Sequence, residues 1–180
     1  MLGGPGSGKG TQANYLAQSF NLPIISTGNI LRQGIELGDE LGTKAKEYVK
    51  QGKLVPDRMM IKFIKRRLLK NDVTEGWILE GYPRTAFQAE ELDFLLEDEL
   101  GQNLDYAIYL EVSKETMIER SLARGEVDDR PEILETRIEL FNKRTTPILE
   151  YYQYKHSLIT ISGEQNPDQV SQLISQQINN

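Results

Sequence analysis

The chain has 180 residues, enough to bury a substantial core, and reads as one domain. It has no cysteine, which excludes a disulfide framework, a Cys-based zinc site and thiol catalysis together. Its formal net charge of −6 argues against a nucleic-acid coat, and no run approaches the roughly 18 apolar residues of a membrane span, so a cytoplasmic protein is expected.

The first dozen residues carry the strongest signal. Gly3 to Lys9, Gly-Gly-Pro-Gly-Ser-Gly-Lys, match the G-x-x-x-x-G-K core of a phosphate-binding loop, with Gly10 and then Thr11 after the lysine. Glycines let backbone N–H groups converge on phosphate oxygens, and Lys9 adds a mobile charge. Ala13, Leu16, Ala17 and Phe20 recur at helical spacing, so a helix from about Gly8 to Phe20 points its N-terminal dipole at the same anion. Such a loop ordinarily follows a buried strand, yet only Met1 and Leu2 precede it, roughly four or five apolar residues short. A start assigned too late is the expectation, with a truncation or a substitute segment as the alternatives.

Asn21-Leu22-Pro23 ends the first helix, and Ile24-Ile25-Ser26 reads as a short buried strand. Thr27-Gly28-Asn29 leads into a helix with Ile30, Leu31 and Arg32, and a charged helical stretch runs from Asp39 to Gln51, where Gly52 stops it. Pro56 opens a helix through Lys70 with Ile61, Ile64, Leu68 and Leu69 as its stripe. Trp77-Ile78-Leu79 is a strand ended by Gly81-Tyr82-Pro83, and Thr85 caps a long helix whose core face is Phe87, Leu92, Leu95 and Leu96. A strand over 106–110 precedes a helix capped by Ser113 and running to about Ala123, then an acidic, turn-rich break from Gly125 to Pro131. The helix from Glu132 to Tyr154 contains Pro147, which predicts a kink or a split. Leu158 to Ile161 is the last strand, and Asn166-Pro167 with Gln169 opens the closing helix in capping-box register. The one histidine, His156, lies in a polar stretch and reads as solvent-exposed.

Alternating strands and helices predict a parallel sheet covered on both faces, with the ligand crevice at the carboxyl ends of the strands. Gly3–Thr11, Thr27–Arg32 and Glu80–Arg84 all follow strands, so all three face one crevice. Around them stand Arg32, Arg84, Arg120, Arg124 and Arg137, the forks that phosphoryl transfer needs to spread charge on the moving group. A solvated surface pair is the better reading of Arg120 taken alone. Arg84, held behind Gly-Tyr-Pro at a strand end, reads as functional.

The chain resembles an adenylate kinase. It is similar through Gly-Gly-Pro-Gly-Ser-Gly-Lys-Gly-Thr-Gln (3–12), Ile-Ser-Thr-Gly (25–28), Gly-Lys-Leu-Val-Pro-Asp (52–57), Gly-Tyr-Pro-Arg-Thr (81–85), and Asp128-Asp129 ahead of Arg137. The resemblance implies an α/β, P-loop NTPase-type three-layer sandwich with a central parallel sheet, its first strand truncated here. It implies transfer of the γ-phosphoryl of Mg2+-bound ATP to AMP, giving two ADP, by a monomer. Lys9, Arg84, Arg124 and Arg137 are then catalytic. Gly6, Ser7, Gly8, Lys9, Gly10 and Thr11 hold the ATP phosphates, with Arg120, Arg124 and Gln165 on the same nucleotide. Thr27, Arg32, Lys53, Leu54, Val55, Gly81, Tyr82, Pro83, Arg84, Gln88 and Arg137 form the AMP site. The resemblance also makes 27–57 an AMP-binding arm and 124–129 a short lid, both mobile insertions in a single kinase domain.

Three positions depart from that family pattern. Glu80 replaces the usual Asp, keeping the carboxylate that meets Mg2+ through water, with no direct metal ligand expected. Asn29 replaces an Asp, and Glu126 stands where relatives often carry Arg. Arg130 either takes over from that Arg or pairs with Glu126 or Asp129 at the surface. The readings set against an active adenylate kinase are a kinase for another nucleoside monophosphate, which Thr27 and Gln88 disfavour, and a catalytically weak nucleotide-binding paralogue.

Overall fold

The computed structural model describes residues 1–50, 55–125 and 131–179, with the backbone alone at 49, 50 and 132. Among the described residues there are five strands, all paired in parallel: β1 (Leu2–Gly3), β2 (Ile24–Ser26), β3 (Ile78–Glu80), β4 (Ala107–Glu111) and β5 (Leu158–Ser162). They pair as two ladders, β2–β3 and β1–β4–β5. Leu2 lies opposite Tyr109 and Gly3 opposite Leu110, so the first strand is present as two residues. The Met1 ammonium donates to the Leu79 carbonyl at 2.8 Å, which ties β1 to β3.

Side-chain alternation along β4 explains the three layers. Ile108 and Leu110 pack with Ala13 and Leu16 of α1 (Lys9–Phe20) and Val170 and Ile174 of α8 (Pro167–Ile178). Ala107 instead joins Ala89 of α5 (Ala86–Phe94) and Ile148 and Tyr152 of α7 (Pro131–Tyr154) on the opposite face. A separate cluster, with Ile25, Phe63, Ile64, Leu92 and Leu96, joins α2 (Thr27–Leu37), α3 (Glu40–Lys50) and α4 (Asp57–Leu68) to the β2–β3 ladder. The helix α6 (Lys114–Arg124) packs on α7 through Met117, Leu134 and Ile138.

The expected caps form. Thr85 Oγ1 accepts from the Gln88 N–H at 3.2 Å, Ser113 Oγ from Thr116 at 3.2 Å, and Asn166 Oδ1 from Gln169 at 3.0 Å.

Several expectations need correction. Leu69 is exposed and lies past the end of α4, whose buried stripe is Met60, Phe63, Ile64 and Leu68. Phe87 is 51% exposed and takes no part in the core; the buried stripe of α5 is Gln88, Ala89, Leu92 and Asp93. Pro147 does not split α7, which runs as one helix from Pro131 to Tyr154. It has no N–H to offer the Lys143 carbonyl, and both residues are exposed. An unforeseen feature follows α5, a π-helical turn over Leu95–Leu100 that puts Leu95 and Leu96 together in the core.

Behind β1 lies an apolar cavity of about 450 Å³. Met1 and Leu2 bound it at one end, and Trp77 to Leu79 and Tyr106 to Ile108 form its sides. The strands β3 and β4 therefore stand apart at their amino ends, with β1 bridging them only near their carboxyl ends. The Met1 amine at this junction is buried, and desolvation pushes its pKa down to about 5; Glu80 works against that shift and Lys9 adds to it.

Candidate active site

The loop between β1 and α1 is shaped by a backbone that only glycine supplies cheaply. Gly6 has φ of 68°, and a Cβ there would meet the Met117 carbonyl oxygen at 2.6 Å and Ser121 Oγ at 2.8 Å. Lys9 folds back over this loop, donating to the Gly4 carbonyl at 2.7 Å and to Ser7 Oγ at 3.4 Å. Desolvation lowers its pKa to about 8; Glu80 opposes the shift, while Arg84, Arg124 and Arg137 add to it. Glu80, the last residue of β3, sets its carboxylate 3.5 Å from where a Cβ on Gly10 would stand. An acid and a lysine thus share the start of α1.

The strand ends open into one cavity of about 1190 Å³, larger than the roughly 300–1,000 Å³ of a typical single-ligand pocket. Among the described residues, Lys9 and six arginines (32, 84, 120, 124, 137 and 144) line it, against the two carboxylates Glu80 and Glu164. In a chain of net charge −6 this concentration of positive charge is strongly anion-seeking.

Each wall holds its cation in a defined way. Gly81 (φ 84°) leaves no room for a Cβ, which would sit 2.5 Å from Thr27 Oγ1, and Arg84 Nε donates back to the Gly81 carbonyl at 2.8 Å. The Arg84 guanidinium opens to the water of the cavity, yet its pKa is pushed below its ordinary value. Desolvation is the first cause, and the charges of Arg137 and Arg144 add to it. Arg32 donates to Asn29 Oδ1, a neutral acceptor that leaves its charge uncompensated. Arg120 reaches across from α6 to the turn after β5, donating to the Gly163 carbonyl at 2.7 Å and the Glu164 carbonyl at 3.1 Å. The Glu164 carboxylate accepts from the Ser113 N–H at 2.6 Å and the Thr116 hydroxyl at 2.7 Å, bonds that hold its pKa below the usual range.

Most of the residues singled out in the sequence meet here. Gly6 to Thr11, Thr27, Arg32, Gly81, Pro83, Arg84, Arg120, Arg124, Arg137 and Gln165 all line the cavity. Three do not. The Tyr82 side chain is buried in the core, with its hydroxyl unpartnered. Val55 packs against the same core cluster. Gln88 is buried beside the cavity with its amide engaged: Oε1 accepts from the Arg84 N–H and Nε2 donates to Asp57 Oδ1, both at 2.6 Å. Lys53, Leu54, Glu126 and Arg130 lie outside the described residues, as do the rest of the acidic break and Asp128-Asp129.

Among the lining residues that were missed, two are polar side chains of note, Arg144 and Gln12. Arg144 sits seven residues, two helical turns, beyond Arg137 on α7, and that spacing was the signal available. Gln12 anchors the end of α8, its Nε2 donating to the Pro167 carbonyl at 2.8 Å. A carbonyl can only accept, so the amide orientation is fixed, and Oε1 is left buried without a partner. Among the described residues no group of three or more metal-ligating side chains converges.

A glycine loop at the carboxyl end of a parallel strand, a lysine over it and arginines from three helices and a strand end define a P-loop phosphotransferase. The comparisons with known proteins narrow that class. The sequence model of the family described as adenylate kinase matches residues 1–157. Over 174 residues the chain is 58% identical to adenylate kinase 2 of Synechocystis sp., covering 97% of this chain and 96% of that protein. It is 57% identical to adenylate kinase 2 of Nostoc sp., covering 97% and 94%, and 42% identical to adenylate kinase of Bifidobacterium longum, covering 95% and 94%. The chain belongs to the adenylate kinase family.

Proposed function

We propose that the cavity seats two adenine nucleotides with their phosphates meeting beside Lys9, and that the chain moves the γ-phosphoryl of ATP to AMP, reversibly, leaving two ADP. The observation that carries this reading is the lining. Among the described residues, seven cations against two carboxylates surround a space too large for one small ligand, and the phosphate loop occupies only one side of it.

On the donor side, backbone N–H groups from Gly6 to Thr11 hold the ATP phosphates. Lys9 bridges the donor and the transferred group, and the incoming anion restores the charge that burial weakens. Arg120, held by the Gly163 and Glu164 carbonyls, flanks the base together with Gln165. On the acceptor side, Arg32, Arg84 and Arg137 take the AMP phosphate, while Thr27, the 53–55 backbone and Gly81 to Arg84 frame the nucleotide. Gln88 pairs with adenine by exchanging Asp57 and the Arg84 N–H for the purine edge.

The step needs no covalent intermediate. An AMP phosphate oxygen bonds to the γ-phosphorus as the β–γ bridging oxygen leaves, and the charge on the equatorial oxygens is met by Lys9, Arg84, Arg124 and Arg137. Mg2+ would enter with ATP, and the residues fit it: the Glu80 carboxylate, beside the start of α1, would hold the ion through its bound water. The ion would supply neutralisation of charge on the transferring phosphates. Closure of the 27–57 arm and the 124–129 lid would keep water from the γ-phosphorus. Net charge keeps copies apart, which favours a monomer, and adenylate substrates fit a cytoplasmic site.

A coupled ADP assay against AMP, GMP, CMP and UMP tests the reading. AMP should give the highest kcat/KM by a wide margin. Equal rates across the panel would refute the assignment of the acceptor.

A further inference from the structure

The described residues leave one cation of the cavity wall without an assigned task. Arg144 projects from α7 into the same space as Arg84 and Arg137, together with Leu140, Phe141 and Thr145 on that helix face. It is half-buried, and among the described residues no hydrogen bond or ion pair engages its guanidinium. Arg120, Arg32 and Arg84 each donate to a neutral oxygen; Arg144 does not. Its electrostatic company is repulsive, since it depresses the pKa of Arg84 alongside Arg137.

A guanidinium held beside others of like charge, with no carboxylate of the described residues bonded to it, raises the energy of the empty protein. Such an arrangement is stabilised when an anion arrives. Arg137 and Arg144 are about 10.5 Å apart along the axis of α7 and nearly eclipsed, because seven residues span almost two turns. Arg84 stands at the β3 end of the cavity and is influenced by both. One phosphate beside Arg84 can therefore be reached from both levels of the helix.

We infer that Arg144 is a further phosphate ligand of the acceptor nucleotide, joining Arg32, Arg84 and Arg137 on the AMP phosphate. The inference rests on the two-nucleotide reading above. It requires the phosphate and not the nucleoside, which gives it a readout that a packing role would not share.

The test uses Arg144→Met and Arg144→Lys in the full chain, with AMP and adenosine as probes. Methionine keeps the helix and most of the side-chain length. It should raise the KM for AMP by about 10- to 100-fold, the loss expected for a charge-assisted bond, with the KM for ATP unchanged. Calorimetry should show AMP binding weakened to the same degree and adenosine binding unchanged. Lysine should recover part of the loss, since the charge returns without the fork. The melting temperature of the unliganded Met variant should equal or exceed that of the wild type, because repulsion is relieved. An unchanged KM for AMP in the Met variant, or adenosine weakened as much as AMP, overturns the assignment. A wild type that makes no ADP sinks the two-nucleotide reading instead, and AMP calorimetry on the variants still decides the role of Arg144.

Discussion

Placing an Ile-Val-Ile-Val segment ahead of Met1 should stabilise the protein, and by more in acid than in base. The amine of Met1 is buried at the β1–β3 junction, with a pKa lowered from 8.0 to about 5. The unfolded chain therefore takes up a proton between pH 8 and pH 5 that the folded chain does not. Stability from this group is fully present above pH 8 and is lost as pH falls through 5, about 4 kcal/mol in all. A peptide N–H in its place does not titrate. The advantage of the extended chain from this source should thus grow from less than about 1 kcal/mol at pH 8 to about 3 kcal/mol at pH 5.5. The added side chains also fill the cavity of about 450 Å³ between Trp77–Leu79 and Tyr106–Ile108. Each contributes roughly 1.5–3 kcal/mol of burial against about 1–2 kcal/mol of backbone ordering, a small gain per residue. Thermal melts at pH 8 and pH 5.5 measure both effects, at about 2–4 °C per kcal/mol for a chain of this size. A Gly-Ser-Gly-Ser extension separates them: it should remove the pH-dependent part and give none of the filling. Parallel pH profiles for the native and both extended chains would refute the reasoning about the amine. Equal melting temperatures for the two extensions would refute the filling.

Lys9 should report its own burial. Its pKa of about 8 in the empty site means that ATP affinity is flat below pH 8 and falls above it as the charge is lost, which calorimetry across pH 6.5 to 9.5 can follow. Glu80 raises that pKa, so in Glu80→Gln the fall should begin at lower pH; an unmoved limb would break the proposed Glu80–Lys9 coupling. Gly6→Ala forces a side chain at φ 68° against the Met117 carbonyl and should weaken ATP binding, measurable by calorimetry, while leaving AMP binding in place. In Gln88→Ala the KM for AMP should rise about tenfold or more through the lost purine pairing, with the KM for ATP within about twofold. A matching rise for ATP would mean that the change acts through Arg84 and the fold.

What the residues disclosed in advance was mostly local. The loop glycines, the caps at Thr85, Ser113 and Asn166, and the strands over 24–26 and 158–161 depend on neighbours in sequence, and each formed. The parallel order of the sheet followed from alternation, since crossovers leave few alternatives. Features set by distant partners were harder to read. Phe87 fits an apolar stripe, but α5 buries Ala89 and Gln88 because α7 packs on that side. The π turn at Leu95–Leu100 has no local signature. Pro147 lacks the helical N–H, yet α7 continues through it on an exposed face. In the site, motif residues at strand ends were legible because the carboxyl edge collects them. Arg144 and Gln12 were not, since only the packing of α7 and α8 brings them to the cavity. The resemblance places Gln88 at the AMP site, and its bonds to Asp57 and Arg84 are visible only in three dimensions.

The central claim is transfer between two nucleotides in one cavity. It is tested most directly by following a label carried in the γ-phosphate of ATP after mixing with AMP, Mg2+ and the protein. The label should appear in the β-phosphate of newly formed ADP, two ADP for each AMP consumed, with little released as inorganic phosphate. Label that stays in ATP while both nucleotides bind, or that emerges chiefly as inorganic phosphate, would contradict the account.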